Sequence, residues 1–196
     1  GFRGVVYATA GCRDLARILL MDSAAMQQRD AERENRRRAR NGRKGRAEAL
    51  YPADDAEATL GLIRSVDYGR AFEVLPGVEL TFRDAGHILG SASVWLHLRE
   101  GDLERRIVFS GDLGQYDSPI LRDPEPGPVA DLVIMESTYG DRLHRDRDAT
   151  LVELGEILLR ARSAGGNVLI PAFAVGRSQD LLYELGTHYE AWGLGA

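Results

Sequence analysis

Between residues 66 and 109 apolar side chains recur at every second position, in runs separated by tight-turn signals, and this stretch most limits the folds open to the chain. Ala71-Phe72-Glu73-Val74, Val78-Glu79-Leu80-Thr81-Phe82, Ser93-Val94-Trp95-Leu96-His97-Leu98 and Ile107-Val108-Phe109 alternate, with Pro76-Gly77 and Glu100-Gly101-Asp102 between them. Alternation sends successive side chains to opposite faces of a strand, so these runs predict short, largely antiparallel strands joined by hairpins. After a proline-rich surface loop at residues 119–128 the spacing lengthens. Residues 132–135, 148–163, 167–170 and 176–192 read strand, helix, strand, helix, the pattern of a parallel sheet with helices on its faces. The fold class is α/β.

Ahead of the alternating stretch, Val5-Val6-Tyr7-Ala8-Thr9 predicts a strand. A helical pattern (Leu15, Ile18, Leu19, Met26) follows, with Asp14 in its first turns, and runs on until Asn41-Gly42 frays it. Asp54 and Asp55 open a second short helix through Ile63. A chain that begins on a core strand and stops one α/β step into a new unit is expected to be an internal piece of something longer.

The 196 residues, 44% of them hydrophobic, suffice for a real core. The apolar stretch at residues 15–26 is interrupted by Arg17 and Asp22, and is too short and too charged for a membrane span or a signal peptide. A single cysteine, Cys12, excludes an internal disulfide framework and points to a reducing cytoplasm. The net charge of -5 conceals an asymmetry. Residues 29–46 hold nine Arg/Lys against three acids, a local +6 that leaves -11 for the rest. A basic strip on an acidic body suits a polyanion; the plainer alternative is a solvated loop with no partner.

Three points carry candidate chemistry. His87 lies in Asp84-Ala85-Gly86-His87-Ile88-Leu89-Gly90-Ser91-Ala92-Ser93, Asp112 in Phe109-Ser110-Gly111-Asp112-Leu113-Gly114, and Glu136 directly after Leu132-Val133-Ile134-Met135. Glycines beside the first two let the backbone turn sharply and approach an ion closely. Singly, each has an ordinary reading: a hydrogen-bonded histidine, an aspartate in a turn, a capping glutamate. Together, each at a strand terminus, they suggest a metal site on the rim of a sheet. His97, His144 and His188 read as structural or surface residues. At Ala174-Val175-Gly176-Arg177 a strand passes into a helix, so free N–H groups and a guanidinium converge where a phosphate would suit; the alternative is a turn glycine and an arginine paired with a carboxylate.

With Glu136-Ser137-Thr138-Tyr139-Gly140-Asp141 and Ile170-Pro171-Ala172-Phe173-Ala174-Val175-Gly176-Arg177-Ser178-Gln179, these segments make the chain resemble the β-CASP branch of the metallo-β-lactamase-fold nucleases, which process RNA and cleave pre-mRNA 3′ ends. The resemblance implies a partial metallo-β-lactamase αββα sandwich over residues 1–140, lacking its N-terminal part, and the start of a β-CASP domain over residues 141–196. It implies a zinc-dependent ribonuclease using a metal-activated hydroxide, with two zinc ions in the complete protein. His87 would be a zinc ligand, Asp112 would bridge both ions, and Glu136 would orient a protonating histidine. Ser137, Gly176 and Arg177 would touch RNA, the expected partner; a homodimer is a further expectation, and a membrane is not. The family's His-x-His-x-Asp-His run is absent from this sequence, so the remaining ligands and the proton donor are expected outside it, and the chain alone should be nearly inactive. The competing readings are a non-catalytic scaffold that partners such nucleases, and another metallo-β-lactamase-fold hydrolase acting on thioesters or lactams.

Overall fold

The computed structural model describes residues 1–195. Strand β1 (Val6–Ala8) leads into α1 (Ala10–Arg40), a helix of 31 residues, then α2 (Ala53–Leu60) and β2 (Ile63–Ser65). β1 and β2 pair in parallel, Val6 opposite Ile63, and α1 and α2 pack together beside them. Thr9 caps α1: its hydroxyl accepts the Cys12 N–H at 3.1 Å. Gly42, with φ 63°, follows the C-cap Asn41, so the helix ends where the sequence predicts fraying.

The alternating stretch forms β3 (Phe72–Leu75), β4 (Val78–Asp84), β5 (Ala92–Glu100) and β6 (Leu103–Phe109), an antiparallel ladder that β7 (Leu132–Ile134) extends in parallel beside β6. The Pro76-Gly77 turn is tight: two residues link the paired Leu75 and Val78, Gly77 has φ 75°, and its N–H donates to the Glu73 carboxylate at 2.9 Å. Phe82 and Val108 are buried on opposite faces of this sheet. Beyond it come α3 (Arg147–Ser163), capped by Asp146, and α4 (Arg177–Thr187). Trp192 is buried against Gly155 of α3, where a Cβ would collide with the indole.

Three sequence expectations change. The second helix does not reach Ile63, because Gly61 and Leu62 end it and release Ile63 into β2. Residues 167–170 join no sheet: Leu169 and Ile170 are exposed, and no described strand lies alongside to accept their backbone hydrogen bonds. The last helix stops at Thr187, with the turns around Trp192 folding back separately. The general α/β character stands.

The chain exposes 14409 Å², where a compact monomer of 21.6 kDa would expose roughly 9,200 Å². The excess is partly apolar. Leu132, Val133 and Ile134 are all about half exposed, although a parallel strand is ordinarily covered on both faces. No helix among the described residues is long and apolar enough to cross a membrane.

Candidate metal centre on the sheet rim

Strand direction assembles the site. β5 runs antiparallel to both β4 and β6, so β4 and β6 point the same way, and β7 is parallel to β6. The C-terminal ends of β4, β6 and β7 therefore lie on one edge of the sheet. His87 follows β4, Asp112 follows β6 and Glu136 follows β7. Residues far apart in sequence thus emerge together.

Each loop is fixed by its own hydrogen bonds. The Gly86 N–H donates to the Asp84 carboxylate at 2.9 Å, and the Ser91 Oγ accepts the N–H groups of His87 (3.0 Å) and Ile88 (3.2 Å). Gly86 and Gly90 have φ values of 64° and 84°, which favour glycine. The Gly114 N–H donates to the Ala85 carbonyl at 2.7 Å, drawing the Asp112 loop onto the His87 loop, and a Cβ on Gly114 would overlap the Gly86 carbonyl. Thr9 binds in from the other side: its hydroxyl donates to the Gly90 carbonyl at 2.6 Å, so the start of α1 rests on the His87 loop. The Tyr68 hydroxyl donates to the Ser91 carbonyl at 2.8 Å; burial, with the Asp84 carboxylate adding, pushes its pKa up.

The result is a facing pair. His87 Nε2 lies 3.8 Å from Asp112 Oδ2, with the side chains 44% and 71% exposed and thus open to an incoming ion. Zinc bonds to nitrogen and carboxylate oxygen at roughly 2.0–2.2 Å, so one ion bound to both atoms fits that gap. Two donors are half a shell. Among the described residues no group of three or more His, Cys, Asp or Glu side chains could hold a metal.

Glu136 has a duty that the sequence does not reveal. Its Oε1 accepts the Leu113 N–H at 2.6 Å, tying down the residue next to Asp112. Its own N–H donates to the Ser110 Oγ at 3.1 Å, and the buried Ser110 hydroxyl donates to the Gly111 carbonyl at 2.6 Å. The Leu113 N–H holds the Glu136 carboxyl below its ordinary pKa; burial opposes this, and the Thr138 side chain and the charge of His87 add to it. Sequence reasoning missed Ser110, Thr9, Ser91 and Tyr68, all of which hold loops through backbone contacts that leave no spacing signature.

The Gly176-Arg177 turn reaches the same rim. A Cβ on Gly176, which has φ 85°, would stand 3.3 Å from the Ile88 side chain, beside His87. Arg177 is exposed and has no carboxylate within 4.0 Å among the described residues, so its charge is not consumed by an ion pair. Ser137 is exposed next to Glu136. The other histidines are engaged elsewhere. His97 lies on the sheet face between Glu79 (4.0 Å) and Glu104 (3.4 Å), His144 packs edge-on against Tyr139, and His188 stacks on Trp192.

No protein-family model matches the chain. Over 188 residues it is 40% identical to the Thermus thermophilus protein named ribonuclease TTHA0252, in an alignment covering 96% of this chain and 38% of that protein. It is 32% identical over 188 residues to the transcription termination factor FttA of Methanothermobacter thermautotrophicus, covering 94% of this chain and 27% of the relative. It is 31% identical over 193 residues to the FttA of Methanocaldococcus jannaschii, covering 96% and 28%. The chain spans less than two-fifths of the length of any of these three relatives.

Proposed function

Because this chain is a relative of the β-CASP ribonucleases, we propose that it forms part of a zinc-dependent enzyme that hydrolyses RNA phosphodiester bonds. RNA is the common ground between a ribonuclease and a transcription termination factor, the names its relatives carry. Residues 1–140 belong, in this reading, to a metallo-β-lactamase-type sandwich, and residues 141–196 open a second domain.

The observation that carries the proposal is the 3.8 Å approach of His87 and Asp112 at an exposed rim. His87 would offer Nε2, and Asp112 a carboxylate able to serve two ions, with the remaining ligands supplied from outside this chain. Zinc, when bound, supplies Lewis acidity that lowers the pKa of a water to about 7, so a nucleophile is available at neutral pH. The chain's own groups do the rest. Glu136, ionised through the neutral range, keeps the Asp112 loop in place by its bond to Leu113. Arg177 meets the non-bridging phosphate oxygens, Gly176 lets the backbone come close, and the Ser137 hydroxyl donates to the same group. Orientation of a proton-donating histidine from elsewhere in the protein is the further role of Glu136.

Cleavage of a labelled single-stranded RNA by the complete gene product, with and without a chelator, tests this. His87→Ala and Asp112→Ala are each expected to abolish zinc-restored cleavage. Undiminished cleavage by both variants would rule the proposal out.

A further inference from the structure

The strongest charge on the molecule lies far from this rim. Arg29, Arg33, Arg36 and Arg40 recur along α1 at spacings of four, three and four residues, which puts them on one stripe of the helix. All four are exposed, whereas Ala24, Ala31, Asn35 and Arg38 lie toward the packed side. Arg37 flanks the stripe, and Arg43, Lys44 and Arg46 continue it on the loop beyond the helix.

Two features separate this patch from a loose solvated tail. It is built: the Asn35 side chain donates to the Ala47 carbonyl at 2.9 Å and accepts the Ala47 N–H at 2.7 Å, and Gln27 accepts the Leu50 N–H at 2.9 Å. The returning loop is thereby clamped to the helix. A hollow of about 410 Å³ between them is lined by Glu32, Asn35, Arg36, Arg38, Arg43 and Arg46. The patch also keeps a large positive excess, nine cations against Asp30, Glu32 and Glu34. Of its nine cations only Arg38 pairs with a carboxylate among the described residues, that of Glu34 at 2.9 Å. Self-repulsion on this scale favours binding of a polyanion that replaces many small counterions.

We infer that the far end of α1 and its clamped loop form a second nucleic-acid contact, an anchor for the phosphodiester backbone of single-stranded RNA outside the cleavage site. The inference rests on RNA being the substrate. Helix geometry sets the distance. α1 starts on the His87 loop through Thr9 and Gly90, so at 1.5 Å per residue Arg29 lies roughly 30 Å from that loop and Arg40 roughly 45 Å. A tetranucleotide cannot bridge that separation, whereas a single strand of roughly 30 nucleotides exceeds the footprint of an ordinary single-strand-binding domain. The anchor therefore acts on long RNA alone during cleavage.

The test replaces Arg29, Arg33, Arg36 and Arg40 together by alanine in the complete gene product; alanine favours the helix, so folding is retained. Affinity for the long strand is measured in chelator across a salt series, independently of whether the protein cleaves, and cleavage is measured separately on both lengths. Each lost phosphate contact removes about 0.7 from the slope of log affinity against log salt, so a fall of up to about 3 is expected, with at least a tenfold loss of affinity at low salt. Cleavage of the tetranucleotide should be unchanged, while the KM for the long strand rises. An unchanged affinity and slope would overturn the inference, as would equal losses on both lengths. Capture of anionic phosphatidylserine vesicles by the original protein, lost in the variant while RNA binding persists, would overturn it in favour of a membrane surface. Absence of cleavage with the binding effect intact would count against the ribonuclease reading alone.

Discussion

Replacing Glu136 by alanine removes the acceptor that holds the Leu113 N–H at 2.6 Å, one residue from Asp112. The orphaned amide is partly buried, and leaving such a donor unsatisfied costs about 1–3 kcal/mol. The cost falls on the loop that carries Asp112, so it must be met again whenever that carboxylate is to face His87. At 1.4 kcal/mol per tenfold, zinc affinity in the complete protein should drop about 5- to 140-fold, in line with the 10- to 100-fold typical of residues that support metal ligands. Glu136→Gln keeps an acceptor but loses the charge assistance, which roughly doubles such a bond, and should lose about fivefold. Chelator competition measures both affinities, and hydrogen exchange at the Leu113 amide reports the anchor directly. An alanine variant with undiminished Leu113 protection and zinc affinity within twofold of the original would refute the reasoning. The pH dependence has a definite sign. The folded pKa of Glu136 is lowered, so the anchor is complete above the ordinary carboxylate range and is lost as pH falls through that lowered value. Leu113 protection should therefore be flat through the neutral range and fail only in acid.

Thr9→Val leaves the Cys12 N–H and the Gly90 carbonyl without their side-chain partner; the lost cap and buried bond should cost about 2–3 kcal/mol in chemical denaturation, with Thr9→Ser within about 0.5 kcal/mol of the original. Gly90→Ala would drive a Cβ into the Cys12 and Gly11 backbone at a φ of 84°, so a loss above about 2 kcal/mol and weaker zinc binding are expected in the same two assays. The 196-residue chain alone, offering two donors, should not retain stoichiometric zinc through gel filtration, as metal analysis of the eluted protein will show.

The antiparallel ladder was legible because alternation and the Pro76-Gly77 turn act locally, and Asn41-Gly42 ends α1 for the same reason. β2 was not: Leu60 and Ile63 keep a helical spacing of three, and only the parallel pairing with Val6 makes Ile63 a strand residue. Residues 167–170 failed in the other direction, since an apolar run needs a neighbouring strand before it can be one. At the site, the sequence pointed to His87, Asp112 and Glu136 as strand-end residues, but their convergence follows from strand direction, which no spacing encodes. The anchoring of Leu113 by Glu136 and the approach of Gly176 to Ile88 are long-range contacts of the same kind.

Anomalous scattering at the zinc edge from crystals of the complete, metal-loaded protein tests the central claim most directly. A peak within roughly 2.0–2.2 Å of both His87 Nε2 and an Asp112 carboxylate oxygen is the predicted result. Zinc bound elsewhere, with neither side chain in its coordination sphere, would contradict it.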